Sequence, residues 1–197
     1  DSKVIDKTAS LPNEKQVEEK TAFARPEKLQ RTAIKDFIVL FEPEIPQNTG
    51  NIVRTCAATG TDLYLIRPLG FSVSDKYLKR AGLDYWNSLD LYIYKNFEDF
   101  LEKNRDAIIY MATTKAKKTY ADVNYEPNSF IMFGKESAGI PEDILINYKE
   151  TSVRIPMESS SRSLNLSNAV AIVLYEALRQ DNFAHMQLEG QLHHLKW

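Results

Sequence analysis

Imidazole and thiol groups are nearly missing from this chain of 197 residues. Its one cysteine, Cys56, allows no disulfide within the chain and no multi-cysteine zinc site, which fits a reducing compartment. The three histidines, His185, His193 and His194, all follow the last predicted helix. A catalytic domain made from the rest of the chain therefore has no imidazole base, and serine or cysteine triads are not expected. No apolar run approaches the roughly twenty residues of a spanning helix, and the early chain lacks the apolar block of a secretory signal. We expect a soluble protein. None of the seven glycines lies two residues from another, so the Gly-x-Gly of a dinucleotide fingerprint is absent. The stretch Phe133 to Pro141 has the glycine spacing of a phosphate-binding P-loop, but Ile140-Pro141 stands where Lys-Ser or Lys-Thr is required. A net charge of −2 argues against an indiscriminate polyanion binder, while leaving local basic groups at Lys76, Lys79 and Arg80 and at Lys115, Lys117 and Lys118. The chain opens on Asp1 rather than Met, and a processed or cloned form is expected.

Residues 1–36 mix both charge signs with few large apolar side chains and no period, which predicts a mobile extension. Residues 37–180 form the predicted domain, and 181–197 a tail. Short apolar runs at Phe37–Phe41, Leu63–Ile66, Leu91–Tyr94, Ala107–Met111, Phe130–Phe133 and Val153–Ile155 read as buried strands. Helical segments are predicted at Asn48 to Gly60, around Ser74 to Arg80, at Asn96 to Asn104, from about Pro141, and through the apolar stretch ending near Gln180. Strands alternating with helices predict an α/β domain with a mainly parallel sheet, whose ligands collect outside the carboxyl ends of the strands.

Three loops at such ends concentrate chemistry. In Glu44 to Arg54, Asn48 or Thr49 is the expected helix cap. Asn48 and Arg54 can then reach one neighbourhood at an anion-ready helix entrance, the alternative being an ordinary cap with a surface arginine. Phe133 to Pro141 is a glycine turn carrying one carboxylate, Glu136. Arg154 to Gln180 runs from Arg-Ile-Pro-Met through Ser159-Ser160-Ser161 and Arg162 into a helix that is apolar on nearly every side from Ala169 to Leu174, a pattern of full burial. Ser163, Asn165, Ser167 and Asn168 stand at its entrance, more polar groups than capping requires. Together the loops predict an adenosyl pocket beside a polar patch of Asn48, Arg54, Glu136, Ser163 and Asn165.

Asn48-Thr-Gly-Asn-Ile-Val-Arg54, Phe133-Gly-Lys-Glu-Ser-Ala-Gly-Ile-Pro141 and Ser161-Arg-Ser-Leu-Asn-Leu-Ser-Asn-Ala169 resemble the three motifs of the knotted SPOUT RNA 2′-O-methyltransferases. Phe41-Glu-Pro-Glu-Ile-Pro-Gln47, Arg80-Ala-Gly-Leu-Asp-Tyr85, Thr113-Thr-Lys115 and Arg154-Ile-Pro-Met157 are similar to the TrmL branch, small enzymes that methylate the wobble ribose of tRNA. The resemblance spans about residues 37 to 180. It implies a C-terminal trefoil knot, an exception to the rule that chains do not thread. It also implies S-adenosylmethionine as methyl donor, with S-adenosylhomocysteine as product and no metal, held at Ala112, Gly134, Ile155 and Ser163. Arg54 would orient the ribose hydroxyl, positioned by Asn48, Glu136, Ser163 and Asn165, and Lys76, Lys79, Arg80, Lys115 and Arg162 would meet RNA phosphates. A homodimer is implied, pairing through the first and last helices with Tyr175 at or near the interface. A cytoplasmic location is expected, or an organellar one if a transit peptide preceded Asp1. The rival readings are ribosomal RNA as substrate and a non-catalytic RNA-binding protein on the same fold. The chain departs from relatives at Trp86-Asn87, often His-Glu, and at Lys135, often proline, which bears on target choice more than on chemistry.

Overall fold

Strands buried on both faces need cover on both faces, and here two layers of helix supply it. A computed structural model describes residues 36–74, 76, 80, 85 and 89–196. In chain order the elements are β1 (Phe37–Phe41), α1 (Pro46–Thr59), β2 (Asp62–Ile66), β3 (Leu91–Tyr94), α2 (Phe97–Lys103), β4 (Ile109–Ala112), β5 (Lys118–Thr119), β6 (Phe130–Phe133), α3 (Glu142–Leu145), a 3-10 segment (Ile146–Thr151), β7 (Ser152–Arg154) and α4 (Leu166–Gln180). The strands form one sheet in the order β3-β2-β1-β6-β4-β7-β5, every pair parallel. The expected α/β fold with a parallel sheet is the one observed.

Side chains alternate across that sheet, as a period of two requires. Ile38, Leu40, Leu63, Leu65, Ile131 and Phe133 face α1 and α4, meeting Ile52, Val53 and Cys56 from the first helix and Val170, Val173, Leu174 and Ala177 from the second. Phe37, Val39, Phe41, Tyr64, Ile66, Phe130 and Met132 face the other way, onto Phe97 and Phe100 of α2. Cys56 is sealed in the first layer, where burial and the nearby Asp62 push its thiol well above the ordinary range.

Several boundaries differ from the sequence reading. α1 begins at Pro46, two residues early, because proline suits a first helical turn. Asn48 therefore lies inside the helix instead of capping it, and Ile45 at the cap makes no side-chain bond. Gly60 ends the helix as expected, at φ 67. β5, two residues long at the sheet edge, carries no pattern that could announce it. α4 is not buried all round: Ile172 and Tyr175 are 37% and 43% exposed. Of the predicted extension, residues 1–35 lie outside the described residues, and Asp36 belongs to the domain, buried at the start of β1. Past Gln180 the tail runs in turns, with all its histidines exposed. Among the described residues no helix is long and apolar enough to cross a membrane.

Asp36 gives a pH test of this packing. Burial, and secondarily Asp181, raises its carboxyl from the ordinary 3.8 to about 6. A raised carboxyl binds its proton more tightly in the folded state, so its contribution is most favourable below about pH 4 and is lost as pH rises toward 6. Asp36→Asn should match the wild type at pH 4 and exceed it at pH 7 by on the order of 2–3 kcal/mol in denaturant unfolding.

Candidate active site

The strand order reverses direction between β1 and β6, with β2 and β3 on one side and β4, β7 and β5 on the other. In open parallel sheets the loops diverging at such a point leave a crevice, and here they line a cavity of about 580 Å3. Its walls are Ala112 to Lys115 beyond β4, Phe133 to Gly139 at β6, Val153, Ile155 and Met157 at β7, and Arg162 to Leu166 leading into α4. Ala169 and Val173 of α4 and Ile45 and Asn48 of α1 complete it. The volume suits a ligand of nucleoside size, and the mixture of apolar side chains with backbone turns suits a flat base and a polar tail.

Gly134 shapes the floor. A Cβ there would stand 2.1 Å from the carbonyl carbon of Gly139 and 2.2 Å from the nitrogen of Ile140. The turn can close on itself only because that atom is missing, and Gly139, at φ 71, completes the closure with its amide donating to the Lys135 carbonyl at 2.8 Å.

Glu136 is the hub of the polar wall. One carboxylate oxygen accepts the Glu44 amide at 2.8 Å, and the other accepts the Ile45 amide at 3.2 Å and the Asn48 side-chain amide at 3.1 Å. The cap that α1 lacks locally is thus supplied from a loop 91 residues away. The anion-ready entrance expected from the sequence is filled by the protein's own carboxylate. Since a carboxylate only accepts, Asn48 must turn its NH2 toward Glu136 and its carbonyl toward Asn165, whose Nδ2 donates to it at 3.0 Å. The Asn165 carbonyl is then left to accept from the Ser167 amide at 2.9 Å, capping α4. One chain of hydrogen bonds with a single possible polarity ties together the β6 loop and the starts of α1 and α4.

The same loops are clasped a second time. Glu44 accepts from the amide and the hydroxyl of Ser137, both at 2.8 Å, which holds its carboxyl below the usual carboxylate range. Lys135 donates to Glu42 at 2.9 Å, and that carboxylate raises the lysine above its ordinary value. Neither pair is visible from spacing along the chain, because each joins loops more than 90 residues apart.

All the residues named for the methyl donor, Ala112, Gly134, Ile155 and Ser163, line the cavity, as do Asn48, Glu136 and Asn165. Lys115 and Arg162 are at its edge, with Lys115 3.5 Å from Glu142. Lys76 and Arg80 are helical and exposed but line neither pocket, and Lys79 lies outside the described residues. Arg54 departs from expectation. Six helical residues past Asn48 it is rotated by about 120° and raised by about 9 Å, onto a different face of α1. It lines a separate depression of about 440 Å3 between α1 and α4, with Asn51, Thr55, Tyr85, Ser167, Asn168 and Tyr175. Its guanidinium lies 5.9 Å from the centre of the Tyr85 ring.

The SpoU rRNA methylase family model matches residues 35–175, which takes in every strand and the first two thirds of α4. The chain belongs to the SpoU rRNA methylase family. Individual relatives sharpen the comparison. A Listeria monocytogenes protein is 53% identical over 155 residues, covering 77% of this chain and 92% of that one. The tRNA (cytidine(34)-2′-O)-methyltransferase of Yersinia pestis is 48% identical over 149 residues, covering 73% and 92%. A solved structure described as giving insight into 2-OH methylation of C/U34 on tRNA is 42% identical with a TM-score of 0.73, covering 76% and 98%. The AdoMet-bound rRNA methyltransferase of Sinorhizobium meliloti is 25% identical with a TM-score of 0.66, covering 74% of this chain and 56% of its own.

Proposed function

We propose that this chain transfers a methyl group from S-adenosylmethionine to the ribose 2′-hydroxyl of nucleotide 34, cytidine or uridine, in tRNA. The observation that carries the proposal is the switch-point cavity, in which the polar groups of three SpoU motifs meet in one hydrogen-bonded wall. The rRNA in the family's name is outweighed by the relatives of higher identity, whose named substrate is tRNA.

Bound in the cavity, the donor would supply a sulfonium-bound methyl group, its S–CH3 bond breaking as the O–CH3 bond forms to leave a neutral thioether, with the hydroxyl proton passing to solvent. Ala112, Gly134, Ile155 and Ser163 line the space that would hold the nucleoside. Glu136, with its oxygens committed to three donors, positions the wall and is not the proton acceptor. A guanidinium is protonated at any physiological pH, so Arg54 orients the hydroxyl and the adjacent phosphate as charge develops.

The separation of Arg54 from the cavity on its own chain supports a homodimer, in which the arginine of one copy serves the cavity of another. Ile172 and Tyr175, exposed beside the Arg54 depression, give that pairing an apolar face. Threading of the segment between β7 and α4 to form the trefoil knot, and a cytoplasmic location, belong to the same reading.

Incubation with labelled donor and separate tRNA and ribosomal RNA pools, followed by nucleotide mapping, tests it. Label at tRNA position 34 is expected. Label only in ribosomal RNA, or donor binding with no turnover on any RNA, would replace this reading with one of its rivals. If Lys76, Lys79, Arg80, Lys115 and Arg162 meet phosphates, tRNA affinity should fall roughly 100-fold between 50 and 200 mM salt. A flat salt response would remove them from the RNA interface.

A further inference from the structure

The loop after β2, Arg67-Pro68-Leu69-Gly70-Phe71, touches neither pocket, yet it lies against the backbone of the clasped β1 loop. A Cβ at Gly70 would stand 2.7 Å from both the Cα and the carbonyl oxygen of Glu44. Real Cβ atoms do not approach backbone that closely, so any other residue must displace one loop or the other. The Gly70 loop is itself anchored. Its flanking Leu69 and Phe71 pack against the core layer beneath α1 and α4. Its own amide donates to the Pro43 carbonyl at 2.9 Å, and the Glu42 amide donates to Ile66 at 2.9 Å, tying the two loops at a second point.

Whatever moves Glu44 moves the wall of the cavity. The Glu44 and Ile45 amides hold the two oxygens of Glu136, and Glu136 sets Asn48, which sets Asn165. We propose that Gly70 is a positioning residue for the cavity. Its missing side chain lets the β2 loop serve as a backstop that fixes the two amides holding Glu136. The inference rests on the methyl-donor reading of that cavity and deepens it.

The test is calorimetric titration of the full chain with S-adenosylhomocysteine. Wild type, Gly70→Ala, Glu136→Gln and the double variant form a cycle. Gly70→Ala should weaken binding roughly tenfold, and the double variant should bind about as weakly as the weaker single one, because both changes act through one contact. Wild-type affinity in Gly70→Ala, or losses that multiply in the double variant, would overturn the proposal. Should Gly70→Ala fail to fold, Leu69→Ala loosens the backstop from its core side without a clash. It should weaken binding several-fold, again without multiplying the Glu136→Gln loss, and unchanged affinity or a multiplied loss would equally overturn the proposal. A wild-type chain that does not bind the thioether at all would sink the methyl-donor reading itself and this inference with it.

Discussion

Arg54→Ala should lower methyl transfer roughly 10²- to 10³-fold while leaving S-adenosylhomocysteine affinity nearly unchanged. The two halves of that result come from geometry. Arg54 lines the depression between α1 and α4, whereas every residue named for the nucleoside lines the cavity at β6. On the proposed reading, removing the guanidinium takes away charge where the hydroxyl reacts and leaves the donor's walls in place. Subunit mixing then asks whose cavity the arginine serves. Arg54→Ala chains retain an intact cavity, and Glu136→Gln chains retain an intact arginine. If the arginine acts across a dimer, mixing the two impaired preparations at a donor concentration too low to fill the Glu136→Gln cavity should restore about a quarter of wild-type activity, since half of randomly exchanged dimers contain one complete site. No recovery after verified exchange would return Arg54 to its own chain. Unchanged turnover in Arg54→Ala would end its assigned role.

Glu136→Gln should weaken thioether binding at least tenfold and lower the melting temperature by roughly 3–8 °C. The substitution preserves shape and removes acceptors. Backbone amides of Glu44 and Ile45 now meet both oxygens, and a glutamine offers one oxygen and an NH2 that faces a donor. Reversing the amide merely moves the mismatch from Ile45 and Asn48 to Glu44. One orphaned helix-entrance donor is therefore unavoidable, and the disturbance passes along Asn48 to Asn165 at the start of α4. Calorimetry and differential scanning fluorimetry on the same preparation measure the two effects. Intact affinity with only a lower melting point would make Glu136 a helix anchor and nothing more.

The residues that form strands were readable because burial on both faces writes continuous apolar runs, as at Phe37–Phe41 and Phe130–Phe133. Asn48, Glu136 and Asn165 were readable as a group because each stands in a polar loop at the end of a predicted strand, and their motifs gave the group its chemistry. Nothing local says that a carboxylate after β6 caps a helix that begins before β2. The start of α1 was misplaced for the same reason: a search for a local cap selects Asn48 or Thr49, while the real cap arrives from elsewhere in the chain. Gly70 and the Glu44–Ser137 clasp lay beyond reach because each depends on a contact between loops, which spacing along one segment does not encode. Ile172 is the exposed exception in a stretch, Ala169 to Leu174, whose pattern predicts full burial, since an apolar helix can be covered by another molecule as well as by its own domain.

Cys56 sits with no exposure beneath α1, its sulfur protonated and out of reach. Maleimide dyes and nitroxide spin labels will accordingly pass over the native protein. A fluorophore placed at a new thiol in position 172 would be the sole reporter in the sample, able to show in real time whether α4 faces come together, against a silent background.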